Sequence, residues 1–239
     1  MDYKFKIAME EKFSLKNIST LNKLSETYYK SLLDINSTIN SMPTLDEETM
    51  IDLNRELLFI PDFSQINIHS KYYSFLISSC LDLISSLKGI LNSKNKWDTI
   101  YFSKTGYLVI YELVKTNNYY NGVIFNIINN NSELLEQHKL INYNLKILKK
   151  DFNYKEFISK IRNKTSAHFD KDFSVFFELI QDLDTKKSEK ALIAFLQVLI
   201  EMLKFHVKIS SKIVLNYNQE IKKTTTNLNN LIVEKKNNL

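Results

Sequence analysis

One short segment of the chain concentrates side chains that could do chemistry, since residues 161–170 read IRNKTSAHFD. Arg162, Asn163 and His168 lie there within seven positions. A histidine transfers protons near neutrality, an arginine stabilises an anionic phosphorane, and an amide orients its neighbours by hydrogen bonding. Cleavage of a phosphodiester requires these three roles, and none of them needs a metal ion. The segment is therefore the candidate catalytic site.

The sequence predicts that this segment lies on a helix beginning at Asn153, whose side chain would cap it while Glu156 reaches back from the third position. On an ideal helix of about 100° per residue, His168 falls in the middle of the apolar face, and Arg162 falls about 120° away, on its margin. A neutral core histidine with an arginine at the core's edge gives the same pattern. A purely structural explanation therefore stands beside the catalytic one.

Arg162, a polar residue at Asn163, four intervening residues and His168 resemble the arginine–polar–x4-to-6–histidine motif of the HEPN superfamily. Its members are small all-helical domains, many of them metal-independent ribonucleases of toxin–antitoxin, phage-defence and RNA-processing systems. The resemblance covers roughly residues 71–217. It implies that His168 is the general acid or base, that Arg162 is the phosphate-contacting cation and that Asn163 is the positioning partner.

The resemblance also implies the partners and the reaction. RNA would be the substrate, cut by attack of a ribose 2′-hydroxyl on the adjacent phosphate. A homodimer would bring two copies of the motif together, because side chains about 120° apart on one straight helix do not easily grip one phosphate. An antitoxin or effector protein would be a further candidate partner.

Two other function classes remain open. The first is a catalytically silent HEPN-like module that binds a partner protein, a nucleotide or RNA. The second is a structural protein that oligomerises through a long N-terminal helix. Lysines surround the motif, but acidic residues dilute their field, which favours a solvated face over an RNA groove. The lysines are Lys149, Lys150, Lys155, Lys160, Lys164 and Lys171, and the acidic residues are Asp151, Glu156, Asp170 and Asp172.

Composition sets the fold class. The chain has 239 residues, 44% of them hydrophobic, with only 3 glycines and 2 prolines. Hairpins and phosphate-cradling loops need far more glycine, so we expect an all-α protein without a Walker or dinucleotide motif. The net charge of +5 permits an anionic partner but does not demand one.

Other residues narrow the chemistry and the compartment. The single cysteine, Cys80, excludes an internal disulfide and fits a buried position in a reducing compartment. His69 and His138 lack ligand spacing, so we expect no metal site and no cofactor, and His206 fits a core histidine that could support the motif helix. The N-terminus lacks the apolar region of a secretory signal peptide, and we identify no transmembrane segment in the sequence. We therefore expect a cytoplasmic protein without membrane contact.

Apolar periodicity predicts the elements. A long helix over 12–40 and a second over 44–58, opened by a capping box at Thr44 and Glu47, form an N-terminal arm within residues 1–70. An HEPN-like bundle of four to five helices follows over 71–217, and a polar, frayed tail covers 218–239. The helices expected after the arm span about 71–91, 99–114, 133–150, 153 onward, 173–183 and 189–217, with the asparagine-rich stretch 116–132 holding at most a short helix at 123–128.

Overall fold

The computed structural model describes residues 15–41, 64–166, 178–181 and 183–237. Over these residues the protein is all-α, which confirms the predicted fold class. The elements are α1 (Ile18–Ser41), α2 (Ser64–Asn92), α3 (Lys96–Ile128), α4 (Ser132–Asp151), a π-helical turn (Tyr154–Ile158), the three-residue α5 (Ser159–Ile161), a second π-helical turn (Arg162–Ser166) and α6 (Thr185–Asn237).

A single hydrophobic core joins these helices. Helix α2 lies in the middle and packs against α1, α3 and α6, while α4 packs mainly on α6. The early part of α6 is apolar around most of its circumference, so Leu192, Leu196 and Leu199 are all completely buried. Burial of such side chains is the main driving force for folding, and each contributes about 1.5–3 kcal/mol.

The N-terminal helix belongs to this core. Leu21 on α1 and Leu15, just before α1 begins, are buried in the same cluster as the residues of α2. Helix α2 begins at Ser64, so the domain boundary placed near residue 70 falls inside a helix. The helix predicted over 44–58 lies outside the described residues. Cys80 is fully buried in α2, as its position in the apolar stripe indicates.

Helix α3 differs most from its prediction. The apolar pattern predicts a helix that ends near residue 114 and at most a short helix within 116–132, whereas α3 runs unbroken to Ile128. Asparagine disfavours helix interiors because its side chain competes for backbone hydrogen bonds. Here tertiary partners satisfy the amides: Asn117 Oδ1 accepts from the Tyr72 hydroxyl at 2.8 Å, and Asn121 Oδ1 accepts from Asn142 Nδ2 at 2.8 Å.

Helix α6 is longer at both ends than the predicted 189–217. It starts at Thr185, because Asp184, expected in a linker, accepts from the Lys187 backbone N–H at 2.8 Å and caps the helix. It continues to Asn237, through most of the segment predicted to be a frayed tail. Every described side chain after Ile213 is exposed. The last part of α6 therefore leaves the bundle.

Among the described helices, the stretch Ile66–Asn92 of α2 is long and apolar enough to cross a membrane by length and composition, with a mean hydropathy of 1.4. Half of it is buried inside the bundle, and the core helix of a soluble protein passes the same test. The expected absence of membrane contact stays a prediction.

We predict that two glycine-to-alanine substitutions in α3 have opposite effects. At Gly106 a Cβ would lie 2.7 Å from Leu192 Cδ2, so alanine should lower the free energy of unfolding by about 1 kcal/mol or more, overpacking outweighing its better helix propensity. At Gly122 a Cβ would have no neighbour within 4 Å, so alanine should raise the free energy of unfolding by up to about 1 kcal/mol through its higher helix propensity. Urea unfolding followed by circular dichroism measures both, and equal stability of the two variants would refute the close approach of α3 and α6.

Candidate functional site

The helix that carries the candidate residues is irregular. The π-helical turn Tyr154–Ile158, α5 and the π-helical turn Arg162–Ser166 follow one another without a break, and we call them together the motif helix. The Ser159 hydroxyl donates to the Tyr154 carbonyl at 3.0 Å, five residues earlier, which fits the wider π turn. A π-helix rotates less per residue than an α-helix, so the projection at 100° per residue does not hold here.

Asn153 does not cap the motif helix as predicted. Its side chain makes no capping hydrogen bond, and its backbone is left-handed, with a φ of 48°. Asparagine tolerates this conformation better than other non-glycine residues. It follows Phe152, the C-cap of α4, and its N–H donates to the Lys150 carbonyl at 3.2 Å. Asn153 thus ends α4 with a left-handed C-terminal turn and redirects the chain.

Aromatic contacts with α3 fix the motif helix. Phe157 meets the Tyr107 ring edge-on at 5.4 Å between centroids, and Tyr154 stacks on Tyr111 at 5.8 Å. The Tyr154 hydroxyl also donates to the Tyr111 carbonyl at 3.3 Å, and its burial raises the pKa of that hydroxyl to about 12. Ile158 and Ile161 are fully buried beneath these rings.

The guanidinium of Arg162 lies against the same helix. Its Nε and Nη2 donate to Glu112 Oε1 at 3.4 and 3.2 Å, and its Cζ lies 5.0 Å from the centroid of the Tyr111 ring. The exposed fraction is 29% for the Arg162 side chain and 36% for Glu112, so water screens the ion pair. The arginine is held in one orientation and still faces solvent.

Asn163 directs the other edge of the guanidinium. Its Oδ1 accepts from Arg162 Nη1 at 3.1 Å. The positioning role that the resemblance implies for Asn163 stays a prediction. An arginine has five N–H donors, and three of those of Arg162 have these partners among the described residues. His168, the proposed acid or base, lies outside the described residues, so the distance between its ring and Arg162 stays untested.

Sequence reasoning missed Glu112. It lies 50 positions before Arg162, on a helix that was expected to end two residues later, and no local motif marks it. Of the lysines around the motif, Lys150, Lys155 and Lys160 are exposed and Lys164 is partly buried. Whether they form a solvated face or an RNA groove stays a prediction. Lys149 lies over the Tyr154 ring, with its Nζ 5.6 Å from the centroid.

A second polar cluster lies inside the bundle. His206 Nδ1 on α6 and His69 Nε2 on α2 are 3.0 Å apart, and both residues are almost completely buried. The His206 ring also meets Tyr72 edge-on at 5.0 Å and stacks with Tyr73 at 6.0 Å. Two nitrogens at this distance share one hydrogen, so the pair holds at most one positive charge. His206 is a core histidine, and its partner is His69, which had looked isolated in the sequence.

Burial makes these histidines resist protonation. Desolvation lowers the pKa of His69 to about 4. Desolvation also lowers the pKa of His206 well below its ordinary value, with smaller contributions from His69 and His138. His138, on α4, has its pKa lowered by burial too, and Asn142 Nδ2 lies 3.3 Å from its Nε2. All three are therefore neutral at physiological pH and stabilise the packing of α2, α4 and α6.

Within the described residues, no three histidine, cysteine or acidic side chains are grouped so as to hold a metal ion. Comparisons of the chain with protein-family models, with curated proteins and with solved structures found no match. The site must therefore be interpreted from its own geometry.

We predict that acidification unfolds the protein through the histidine pair. The unfolded chain takes up protons as the pH falls through about 6.5, whereas His69 in the folded state stays neutral down to about pH 4. The free energy of unfolding is therefore highest above about pH 6.5, the ordinary pKa of a histidine in the unfolded chain. It falls as the pH drops below that value, by at most about 1.4 kcal/mol per pH unit for each histidine. Urea unfolding between about pH 7.5 and about pH 5 measures the slope.

Matched variants identify the groups responsible. A double variant, His69→Phe with His206→Leu, should make the stability depend less steeply on pH, because neither replacement titrates, and the smaller slope that remains should include the contribution of His138. Tyr73→Phe keeps the ring that stacks on both histidines and should keep the full slope. An unchanged slope in the double variant would assign the acid sensitivity to other groups.

Proposed function

We propose that the protein is an HEPN-like, metal-independent endoribonuclease whose catalytic residues are Arg162, Asn163 and His168. The observation that carries the proposal is the guanidinium of Arg162, which is fixed on two sides yet partly exposed. Preorganised donors stabilise a charge that develops in a transition state without reorganising during the reaction. An arginine on a rigid helix with a neighbouring amide meets that requirement.

The roles follow from the chemistry of each group. The two remaining N–H donors of Arg162 would bind a non-bridging oxygen of the phosphate, and charge-assisted bonds of this kind are about twice as strong as neutral ones. Asn163 would hold the guanidinium in the orientation that Glu112 and Tyr111 set. His168 would remove the proton of the ribose 2′-hydroxyl or protonate the leaving 5′-oxygen. The products would be a 2′,3′-cyclic phosphate and a 5′-hydroxyl.

The charge of Glu112 favours a second candidate function. A carboxylate that already accepts from Nε and Nη2 offsets much of the arginine's charge and would weaken its attraction for phosphate. Under this alternative, the protein is a silent HEPN-like module in which Arg162 joins the motif helix to α3. It would bind a partner protein, a nucleotide or RNA without cutting it.

We predict RNA cleavage that persists in excess chelator and is lost in Arg162→Ala and His168→Ala. Each substitution should lower the cleavage rate by about 100-fold or more, the usual loss on removing a general acid–base or a charge-stabilising donor. Gel analysis of end-labelled RNA measures the rate, and the end groups of the products identify a cyclic phosphate. Growth arrest on overexpression, relieved by His168→Ala, would be the cellular counterpart for a toxin or phage-defence component.

Lys160→Ala is the matched control, since it removes an exposed cation from the same helix. It should change cleavage only slightly, through the general field. If the wild-type protein binds RNA but leaves it intact, the silent module is correct. Cleavage that survives either motif substitution would rule out the catalytic assignment.

A further inference from the structure

The described side chains of helix α6 beyond Ile213 are all exposed. Ile213 is the last buried residue among those described, and the helix continues for 24 residues to Asn237, a length of about 36 Å. Val207 and Val214 are 51% and 55% exposed, although valine is usually buried in a folded protein. An apolar face therefore begins before the helix leaves the bundle.

The composition of this segment does not favour an isolated helix. Residues 214–237 contain six asparagines, three threonines and four valines or isoleucines, all of which have lower helix propensity than alanine. Helices in water are marginal even when they are rich in alanine, and most helical stability in proteins comes from packing of an apolar face. The projecting part of α6 therefore requires a partner that covers it.

The sequence specifies what kind of partner fits. From Val207 onward, the positions spaced alternately three and four residues apart lie on one face of the helix, and most of them are apolar. These positions correspond to a and d of four heptads. The a positions hold Val207, Val214, Ile221 and Leu228, and the d positions hold Ser210, Tyr217, Thr224 and Leu231. A repeat sustained over four heptads indicates a coiled coil, so the partner is another helix with the same period.

The flanking positions favour a second copy of this chain. Charged residues at positions e and g normally choose the partner of a coiled coil. Here position e is uncharged throughout, with Ser211, Asn218, Thr225 and Ile232, and the charges at position g are Glu220 and Glu234. In a parallel pair, Glu220 would face position 225 of the other copy, which is a threonine, so self-association meets no like charge. Val207, Val214 and Ile221 are the β-branched residues typical of position a in a two-stranded coiled coil, and Leu231 is the leucine typical of position d.

We propose that residues 207–234 of α6 form a parallel, two-stranded coiled coil with the same segment of a second copy. Lys235, at the next position a, would place like charges side by side, so the coiled coil ends before it. This interface goes beyond the proposed ribonuclease function, since it uses no residue of the motif helix. The contact would bring the equivalent a positions of the two helices together, with Val214 beside Val214 and Leu228 beside Leu228. The lysines at 208, 212, 222 and 223 occupy the outer positions b, c and f and would stay in water.

Light scattering on the full-length protein at micromolar concentration should give twice the chain mass of 28.2 kDa. Leu228→Glu should give a monomer, because it places two carboxylates in the seam. Asn230→Glu adds the same charge at the outer position c and should remain a dimer. Unchanged unfolding of the bundle in both variants would show that the effect is on association. A monomeric wild type, a larger oligomer, or a Leu228→Glu protein that still dimerises would overturn the proposal.

Disulfide trapping tests the register and the direction of the strands. The native Cys80 is fully buried and would not react under mild oxidation. A cysteine introduced on the exposed part of α6 would therefore react without competition from Cys80. Val214→Cys should form a covalent dimer under mild oxidation, because equivalent a positions face each other in a parallel pair. Gln219→Cys, at the outer position f, should remain uncrosslinked. The reverse result, or trapping of both variants alike, would overturn the parallel register.

Discussion

The packing of the motif helix on α3 is the contact on which the candidate site depends. Tyr107 and Tyr111 present two rings, one turn apart, to Phe157 and Tyr154, and the Tyr111 ring also lies under the guanidinium of Arg162. Aromatic pairs of this kind contribute about 0.5–1.5 kcal/mol beyond their burial, and an arginine over a ring adds about as much. Contacts with α3 therefore hold the candidate site in place, although none of the proposed catalytic residues, Arg162, Asn163 and His168, belongs to α3.

Helix positions could be predicted wherever apolar periodicity was regular. The apolar spacing around Leu21 predicted α1, and the spacing around Cys80 predicted α2. Leu21 and Cys80 are fully buried, and the other apolar residues of α1, such as Leu24 and Leu32, are partly buried against the core. Prediction failed where a distant group decides the local structure. Tyr72 satisfies Asn117 from 45 positions away and keeps α3 helical through its asparagines. No local rule contains that hydrogen bond.

The candidate site was predictable in its residue types but not in its geometry. The spacing of Arg162, Asn163 and His168 is visible in the sequence, as is the asparagine at 153. Asparagine suits both a helix N-cap and a left-handed C-terminal turn, and the choice between them depends on how α4 ends. The π-helical turns follow from the same packing. Because the second turn changes the rotation per residue from Arg162 to Ser166, ideal α-helix angles do not give the direction of the side chains that follow Arg162.

Helices α3 and α6 run parallel, so the candidate site lies at a distance along the bundle from the end of α6 that we propose forms a coiled coil. Tyr107, in the first half of α3, donates to Ser188 near the beginning of α6, whereas Ile128 at the end of α3 and Ile213 of α6 line one cavity. Glu112, and with it Arg162, thus lies about 24 Å along α3 from the end at which α6 leaves the bundle. A coiled coil at that end and a pairing of motif helices across a two-fold axis would be different interfaces. If both form, dimerisation through α6 raises the local concentration of the bundles, and the motif-helix contact needs little affinity of its own.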